Sequence, residues 1–149
     1  MFIDTHCHLD FDVFDKIRQK LVDDCSTLGI NNFINPATQT SNWDKLLEIN
    51  NQFSNIHIFF GLHPIFIKNH SLADIIKLEE YTNFINTKLI GEIGLDKRIT
   101  DFDKQLYIFS SQISIAKNLN KKVIIHSVKS HNEIIKTIKD TKSKLSLFL

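Results

Sequence analysis

The sequence predicts an α/β protein built on a parallel sheet, and three observations carry that expectation. Short runs of Ile, Val and Phe recur along the chain, each bounded by polar residues, as buried parallel strands require. Amphipathic stretches of helical period separate them. Strand starts recur at roughly thirty-residue intervals, the length of a βα unit. The 149 residues, 42% of them hydrophobic with only 4 Gly and 2 Pro, suit one domain over 1–149 with a sizeable core. No linker, low-complexity tract or second domain interrupts the pattern.

The elements follow in order. The first strand covers Phe2–Thr5, and a helix comes next with Phe14, Ile17, Leu21, Cys25 and Leu28 on one face and Gly29 placed to cap its C-terminus. Asn32–Asn35 forms the second strand, after which Trp43, Leu46 and Leu47 mark the packing face of a helix. The third strand is Ile56–Gly61. Ser71 then opens a helix, with Asp74 as a short-armed capping partner. Leu89–Ile93 is the fourth strand, followed by helical spacing at Phe102, Leu106, Phe109, Ile113 and Ala116. Val123–His126 is the fifth, and Ser130 with Glu133 has the spacing of a full capping box for the helix beyond it. The last run, Leu145–Leu149, reads as a sixth strand. An ending inside a core strand is the expectation of a polypeptide cut short.

Charge and cysteine content exclude several function classes. With 18 Lys+Arg against 17 Asp+Glu there is no broad electrostatic footprint for nucleic acid or membrane, and only Arg18 and Arg98 offer a guanidinium fork. Cys7 and Cys25 make neither a disulfide framework nor a CxxC metal knuckle. The apolar runs are too short for a membrane span, and the N-terminus lacks a signal-peptide layout. The expectation is a soluble, cytoplasmic protein that makes no contact with a membrane.

Residues of metal-binding type close several strands. The first ends in Asp4-Thr5-His6-Cys7-His8, where the two-residue repeat puts His6 and His8 on one side. Two imidazoles there can hold one divalent metal, and Asp4, of the same parity, can orient a ligand. The third strand ends in Gly61-Leu62-His63-Pro64, with His63 where strand gives way to loop. The fourth ends in Gly91-Glu92-Ile93-Gly94-Leu95-Asp96, and a carboxylate such as Glu92 on an apolar strand is costly to bury unless paired or bound to metal. The fifth ends in His126-Ser127. In a parallel α/β fold these ends share one rim, so His6, His8, His63, Glu92 and His126 are expected to converge. His57 starts its strand and is read as structural, His70 as solvated, and His131 as packing at a helix start, with a place at the edge of the site as the alternative. Cys7 is read as a small buried hydrophobe and Cys25 as part of the apolar helix face.

Together these motifs resemble the successive signatures of the TatD-type metal-dependent hydrolases, in the family's order and spacing from residue 2 to the end of the chain. Asn35-Pro36-Ala37-Thr38, and Ser127 with His131, point to the YjjV-like branch. The resemblance implies a (β/α) barrel of the amidohydrolase TIM-barrel type, here incomplete, with about five βα units plus a sixth strand. It implies one or two divalent ions (Zn, Mg or Mn) acting on water and on phosphorus. His6 and His8 would hold the first ion, Glu92 would bridge, His126 would hold the second, and His63 would meet the substrate phosphate. Asp4 and Asp96 would support these ligands. The expected substrate is DNA, with RNA, a D-aminoacyl-tRNA ester or a small phosphodiester as alternatives.

Two departures from the family stand out. Val128 occupies a position that is usually basic, and Lys129 beside it is only a flexible point charge. The family's remaining ligand histidine and metal-binding aspartate come later than residue 149. The alternative reading is therefore a non-catalytic half-barrel that needs a partner chain, with association through unpaired strand edges. A free-standing open-sheet binding protein is a third, disfavoured because no Gly-rich phosphate loop follows a strand.

Overall fold

Among the described residues six strands run parallel, and neighbours in the sheet follow sequence order. The structure, a computed structural model, describes residues 1–85 and 87–141 together with the backbone of Leu147 and Phe148. The strands are β1 (Phe2–Asp4), β2 (Ile30–Pro36), β3 (Ile56–Phe59), β4 (Leu89–Asp96), β5 (Lys122–Val128) and β6 (Leu147–Phe148). The helices between them are α1 (Arg18–Thr27), α2 (Trp43–Gln52), α3 (Leu72–Phe84), α4 (Phe102–Asn118) and α5 (His131–Asp140). Short 3-10 turns at Asp12–Phe14, Thr40–Asn42 and Pro64–Asn69 precede α1, α2 and α3.

β1 pairs with β2 and β2 with β3, while β4 pairs with β5 and β5 with β6. A single bridge, Phe60 to Ile90, joins the two halves, and the Gly91 N–H donates to the Phe60 carbonyl at 2.8 Å. Because the order never reverses, this is the winding of a barrel wall and not of a doubly wound sheet. Right-handed crossovers then carry the helices along one face and leave the strand C-termini along one rim.

The element order is as the sequence predicts, with shifted boundaries. β4 runs on to Asp96 and β5 to Val128, because Gly94, Leu95 and Asp96 pair with His126, Ser127 and Val128. β3 stops at Phe59, with Phe60 making only the bridge. Leu145, Ser146 and Leu149 of the expected sixth strand lie outside the described residues.

The expected apolar face of α1 is corrected. Leu21 and Cys25 pack against the core as expected, but Ile17 and Leu28 are exposed and the fully buried residues are Arg18 and Val22, because the chain makes a 3-10 turn at Asp12–Phe14 and α1 begins only at Arg18. Gly29 does occupy the left-handed position after the helix, at φ 86°. The two helix-start expectations exchange strength. Asp74 accepts from the Ser71 N–H and hydroxyl, each at 2.7 Å. Ser130 instead donates its hydroxyl to the Leu95 carbonyl, and Glu133 pairs with Lys97.

One contiguous core lies between helices and strands. Trp43, Phe60 and Tyr81 form an aromatic cluster with ring centroids 5.1–5.4 Å apart. Leu46, Ile56, Leu62, Leu78, Ile90, Ile93, Phe109 and Ile113 fill the rest. Their burial is favourable by about 25 cal/mol per Å² of apolar surface. Among the described residues no helix is long and apolar enough to cross a membrane.

Candidate metal centre

Glu92 is the hub of the rim. It sits on β4, 5% exposed, between glycines that let neighbouring strands approach closely. A Cβ on Gly61 would lie 2.5 Å from the Gly91 carbonyl carbon, and one on Gly94 only 2.0 Å from the His126 carbonyl oxygen. Gly94 also has φ 146°, which a side chain would strain. The Glu92 N–H donates to the Ala37 carbonyl at 3.0 Å, tying β4 to the end of β2.

Each carboxylate oxygen of Glu92 has its own pair of imidazoles. Oε2 lies 2.9 Å from His6 Nε2 and 3.4 Å from His8 Nε2. Oε1 lies 3.3 Å from His126 Nδ1 and 3.5 Å from His63 Nε2. Among the described residues two potential cation sites follow, His6–His8–Glu92 and His63–Glu92–His126, each with one donor atom per residue within 4.8 Å of the others. They share the one carboxylate.

The electrostatics suit ligation. Burial would push the Glu92 carboxyl up, but hydrogen bonds from the imidazoles, His126 foremost, hold it far below the usual range, so it is ionised. The hydrogen bond to Glu92 raises His6 and His126, while burial lowers His63.

Two further carboxylates stand behind the imidazoles. The Asp4 carboxylate accepts from the His6 backbone N–H at 3.0 Å. Asp96, 1% exposed, stands 3.0 Å from His126 Nε2 and is gripped by Arg98 through Nε at 3.0 Å and Nη2 at 2.7 Å. The Arg98 grip, first, and His126 hold the Asp96 carboxyl well below the usual range. A carboxylate behind an imidazole fixes the ring for its ligand.

The structure thus brings His6, His8, His63, Glu92 and His126 together, with Asp4 and Asp96 behind them. His63, expected at a substrate phosphate, stands among the potential cation ligands, and its Nδ1 accepts from the Ile65 N–H at 3.0 Å. His70 was expected in solvent and is instead 3% exposed, its Nε2 2.9 Å from the His63 carbonyl. Pro64 and the turn after it fold the chain back, which local polarity could not reveal. Neither arginine is a free fork: Arg18 donates to the Leu9 carbonyl and to Asp15, and Arg98 to Asp96. His57 is exposed at the start of β3 beside Asn32, and His131 is exposed at the start of α5. Lys129 is exposed, at φ 54°. Cys7 is half-buried, its Sγ donating to the Ile34 carbonyl, and burial pushes its thiol up to about 12.

Two buried glutamines were missed. Gln112 on α4 accepts from the Leu62 N–H at 2.8 Å and donates to the Leu62 carbonyl at 3.1 Å, clamping the residue before His63. Two turns earlier, Gln105 accepts from the Asp96 N–H at 2.8 Å and donates to the carbonyls of Asp96, Ile99 and Thr100. The signal was two amides seven residues apart on the apolar side of a helix, a place where polar groups are kept only with partners.

Comparisons with known proteins agree with this geometry. A family model described as TatD related DNase matches residues 3–148. The metal-dependent hydrolase YjjV of Escherichia coli (strain K12) is 30% identical over 142 residues, covering 93% of this chain and 55% of YjjV. A human protein named 3'-5' RNA nuclease TATDN2 is 29% identical over 153 residues, covering 93% of this chain and 20% of its own length. The crystal structure of the E. coli TatD homologue YjjV superposes with a TM-score of 0.88 at 29% identity, covering 94% of this chain and 56% of that one. The chain therefore spans about half the length of YjjV.

Proposed function

Because this chain belongs to the TatD-related DNase family, we propose that its Glu92 centre binds one or two divalent cations and serves metal-dependent hydrolysis of phosphodiester bonds in DNA. The observation that carries the reading is the division of one ionised, buried carboxylate between two imidazole pairs. The donor set fits such ions: three ligands on each side, a carboxylate common to both, and a buried His8 Nδ1 with no partner among the described residues. Mixed imidazole and carboxylate donors accept Zn, Mn or Mg.

A divalent cation supplies Lewis acidity toward a phosphoryl oxygen and acidifies water for attack at neutral pH. The chain's own residues do the rest. Glu92 brings the negative charge and, through its two oxygens, sets the spacing of the two sites. His6 and His8 present two imidazoles from one strand end, with Asp4 fixing the backbone at His6. Asp96 holds a proton on His126 Nε2, leaving Nδ1 turned to Glu92, and Arg98 keeps Asp96 ionised. The α4 clamp on Leu62 fixes His63 against the shared carboxylate.

A second reading, an assembly-dependent centre, rests on β1. Its outer edge is unpaired among the described residues, and Phe2 and Ile3 are exposed there. One experiment addresses both: equilibrium dialysis of wild type and Glu92→Ala against Zn²⁺ and Mn²⁺, with sedimentation of the same samples and release of nucleotides from single-stranded DNA. The expected result is one or two bound ions, lost in Glu92→Ala, with cation-dependent DNA cleavage. Binding or cleavage confined to an associated species favours the second reading. A wild-type chain that binds no cation overturns the first reading, and overturns the second as well where sedimentation shows that the chain is already associated.

A further inference from the structure

Among β1–β5, β2 is the strand that brings neither an imidazole nor a carboxylate to the rim, yet the Glu92 cluster hangs on its end. The Ile34 carbonyl accepts the N–H of Cys7, which stands between His6 and His8, at 2.9 Å. The Ala37 carbonyl accepts the Glu92 N–H at 3.0 Å, and the Thr38 carbonyl accepts the His63 N–H at 2.8 Å. Glu92 has further support from lying inside β4, and His63 from the α4 clamp on Leu62. His6 and His8 have less. β1 ends at Asp4, so both stand in the loop beyond it, and the buried Nδ1 of His8 has no hydrogen-bond partner among the described residues.

Asp10 seats that loop. Its carboxylate, on a residue 2% exposed, accepts from the Asn35 side-chain amide at 2.8 Å and from the side-chain amide of Asn42. Asn35 belongs to β2 and Asn42 immediately precedes α2, so the two bonds fasten the loop to the strand and to the helix after it. A buried carboxylate is costly unless hydrogen bonds compensate it, and as a pure acceptor it suits two N–H donors. The neighbours of Asp10 pass this anchorage on to His8. Leu9 is buried, its carbonyl held by Arg18 Nε at 2.6 Å, and the Phe11 ring stacks on His8 with centroids 5.2 Å apart and planes 9° from parallel.

We propose that Asp10 is the positioning residue for the His6–His8 side of the centre: through Asn35 and Asn42 it registers the loop carrying these imidazoles against the end of β2 that also holds Glu92 and His63. This inference rests on the metal-centre reading above and deepens it. Asp10 acts through hydrogen bonds and not through charge. Asp10→Asn keeps both bonds, because Asn35 or Asn42 can turn its amide over and present an Oδ1 that is otherwise buried without a partner among the described residues. Asp10→Ala keeps neither.

The test compares wild type, Asp10→Ala, Asp10→Asn and Asn42→Ala by NMR, metal-free and during Zn²⁺ titration. Amide exchange reports how the loop is seated, and the histidine ring signals report which imidazoles take up Zn²⁺. In Asp10→Ala the Cys7 amide should exchange faster while the Glu92 amide stays protected. Zn²⁺ at His6 and His8 should weaken about ten-fold, the low end of what losing a group behind a ligand costs, with the affinity at His63 and His126 kept. Asp10→Asn should restore both readouts. Asn42→Ala takes one bond from a half-buried residue and stays informative should Asp10→Ala fail to fold; it should weaken Zn²⁺ at His6 and His8 roughly three-fold, half the effect on a logarithmic scale. A Cys7 amide unchanged in both alanine variants, equal weakening at all four imidazoles, or an Asp10→Asn that behaves as Asp10→Ala overturns the proposal and leaves the hydrolase reading standing. A wild type that takes up no Zn²⁺, with the Cys7 amide loosened in Asp10→Ala, upholds the seating of the loop and removes the hydrolase reading. No Zn²⁺ uptake with an unchanged Cys7 amide removes both.

Discussion

Replacing Gln112 with leucine asks whether α4 sets the position of His63, a member of the Glu92 cluster, through the backbone of Leu62. Gln112 is fully buried, and its amide satisfies both backbone groups of Leu62, itself 1% exposed. Leucine fills similar space but leaves a buried N–H and a buried carbonyl without partners. Each such group costs about 1–3 kcal/mol, and the apolar side chain recovers a part, so a net loss of about 2–4 kcal/mol is expected. For a chain of this size that corresponds to a fall in Tm of roughly 4–16 °C, at about 2–4 °C per kcal/mol. Urea unfolding followed by tryptophan fluorescence measures it directly, because Trp43 is fully buried in the aromatic cluster. Released from its clamp, Leu62 lets His63 drift from Glu92, so Co²⁺ titration should show weaker binding and an altered visible spectrum. A variant that unfolds within 0.5 kcal/mol of wild type, or one that is destabilised with an unchanged Co²⁺ spectrum, would refute the reasoning at the first or the second link, the tolerance being that of an ordinary surface substitution at about 0.5 kcal/mol.

Two further outcomes are expected. Gly94→Ala puts a methyl 2.0 Å from the His126 carbonyl oxygen at φ 146°, and should cost about 3 kcal/mol from overpacking and backbone strain. Thermal unfolding in the circular dichroism checks it, and a melting point equal to wild type would show that β4 and β5 can part freely. Asp74→Ala removes the acceptor for Ser71 and Thr40 at the start of α3 and should cost about 1 kcal/mol at neutral pH. Burial alone would raise the Asp74 carboxyl, but the hydrogen bonds from Thr40 and Ser71 leave it lowered. Its stabilisation is therefore present above the unfolded carboxylate value of about 3.9 and is lost as pH falls through the lower folded value. The gap between wild type and variant in urea unfolding should close below about pH 4, and a gap that persists in strong acid would contradict the assignment.

Much of the Glu92 cluster was legible in the chain because its residues stand at strand ends. A two-residue repeat puts His6 and His8 on one side, and the hydrophobic runs before Glu92 and His126 mark the strands that carry them. The rest depended on distances between segments remote in sequence. His70 stands in a polar stretch and yet is buried, because the turn over Pro64–Asn69 brings its ring onto the His63 carbonyl. Arg98 looked available to a phosphate and is spent on Asp96, two residues away, since both lie where β4 leaves the sheet. The face of α1 holds at Leu21 and Cys25 but fails at its ends, Ile17 and Leu28, because a 3-10 turn delays the start of the helix to Arg18.

What the amino-acid sequence determined alone is the alternation of strand and helix and the chemical type of residue at each strand end, since these follow from local periodicity and side-chain direction. Tertiary structure decided how those ends meet. The close approach of β3, β4 and β5, which their glycines permit, brings His63 and His126 onto one oxygen of Glu92, and the end of β1 brings His6 and His8 onto the other. Only the packing of α4 reveals that Gln105 and Gln112 hold the backbone beneath them. The physical reason is that a hydrogen bond is satisfied by separation and angle in space, and neither is encoded within the few residues over which a periodic pattern can be read.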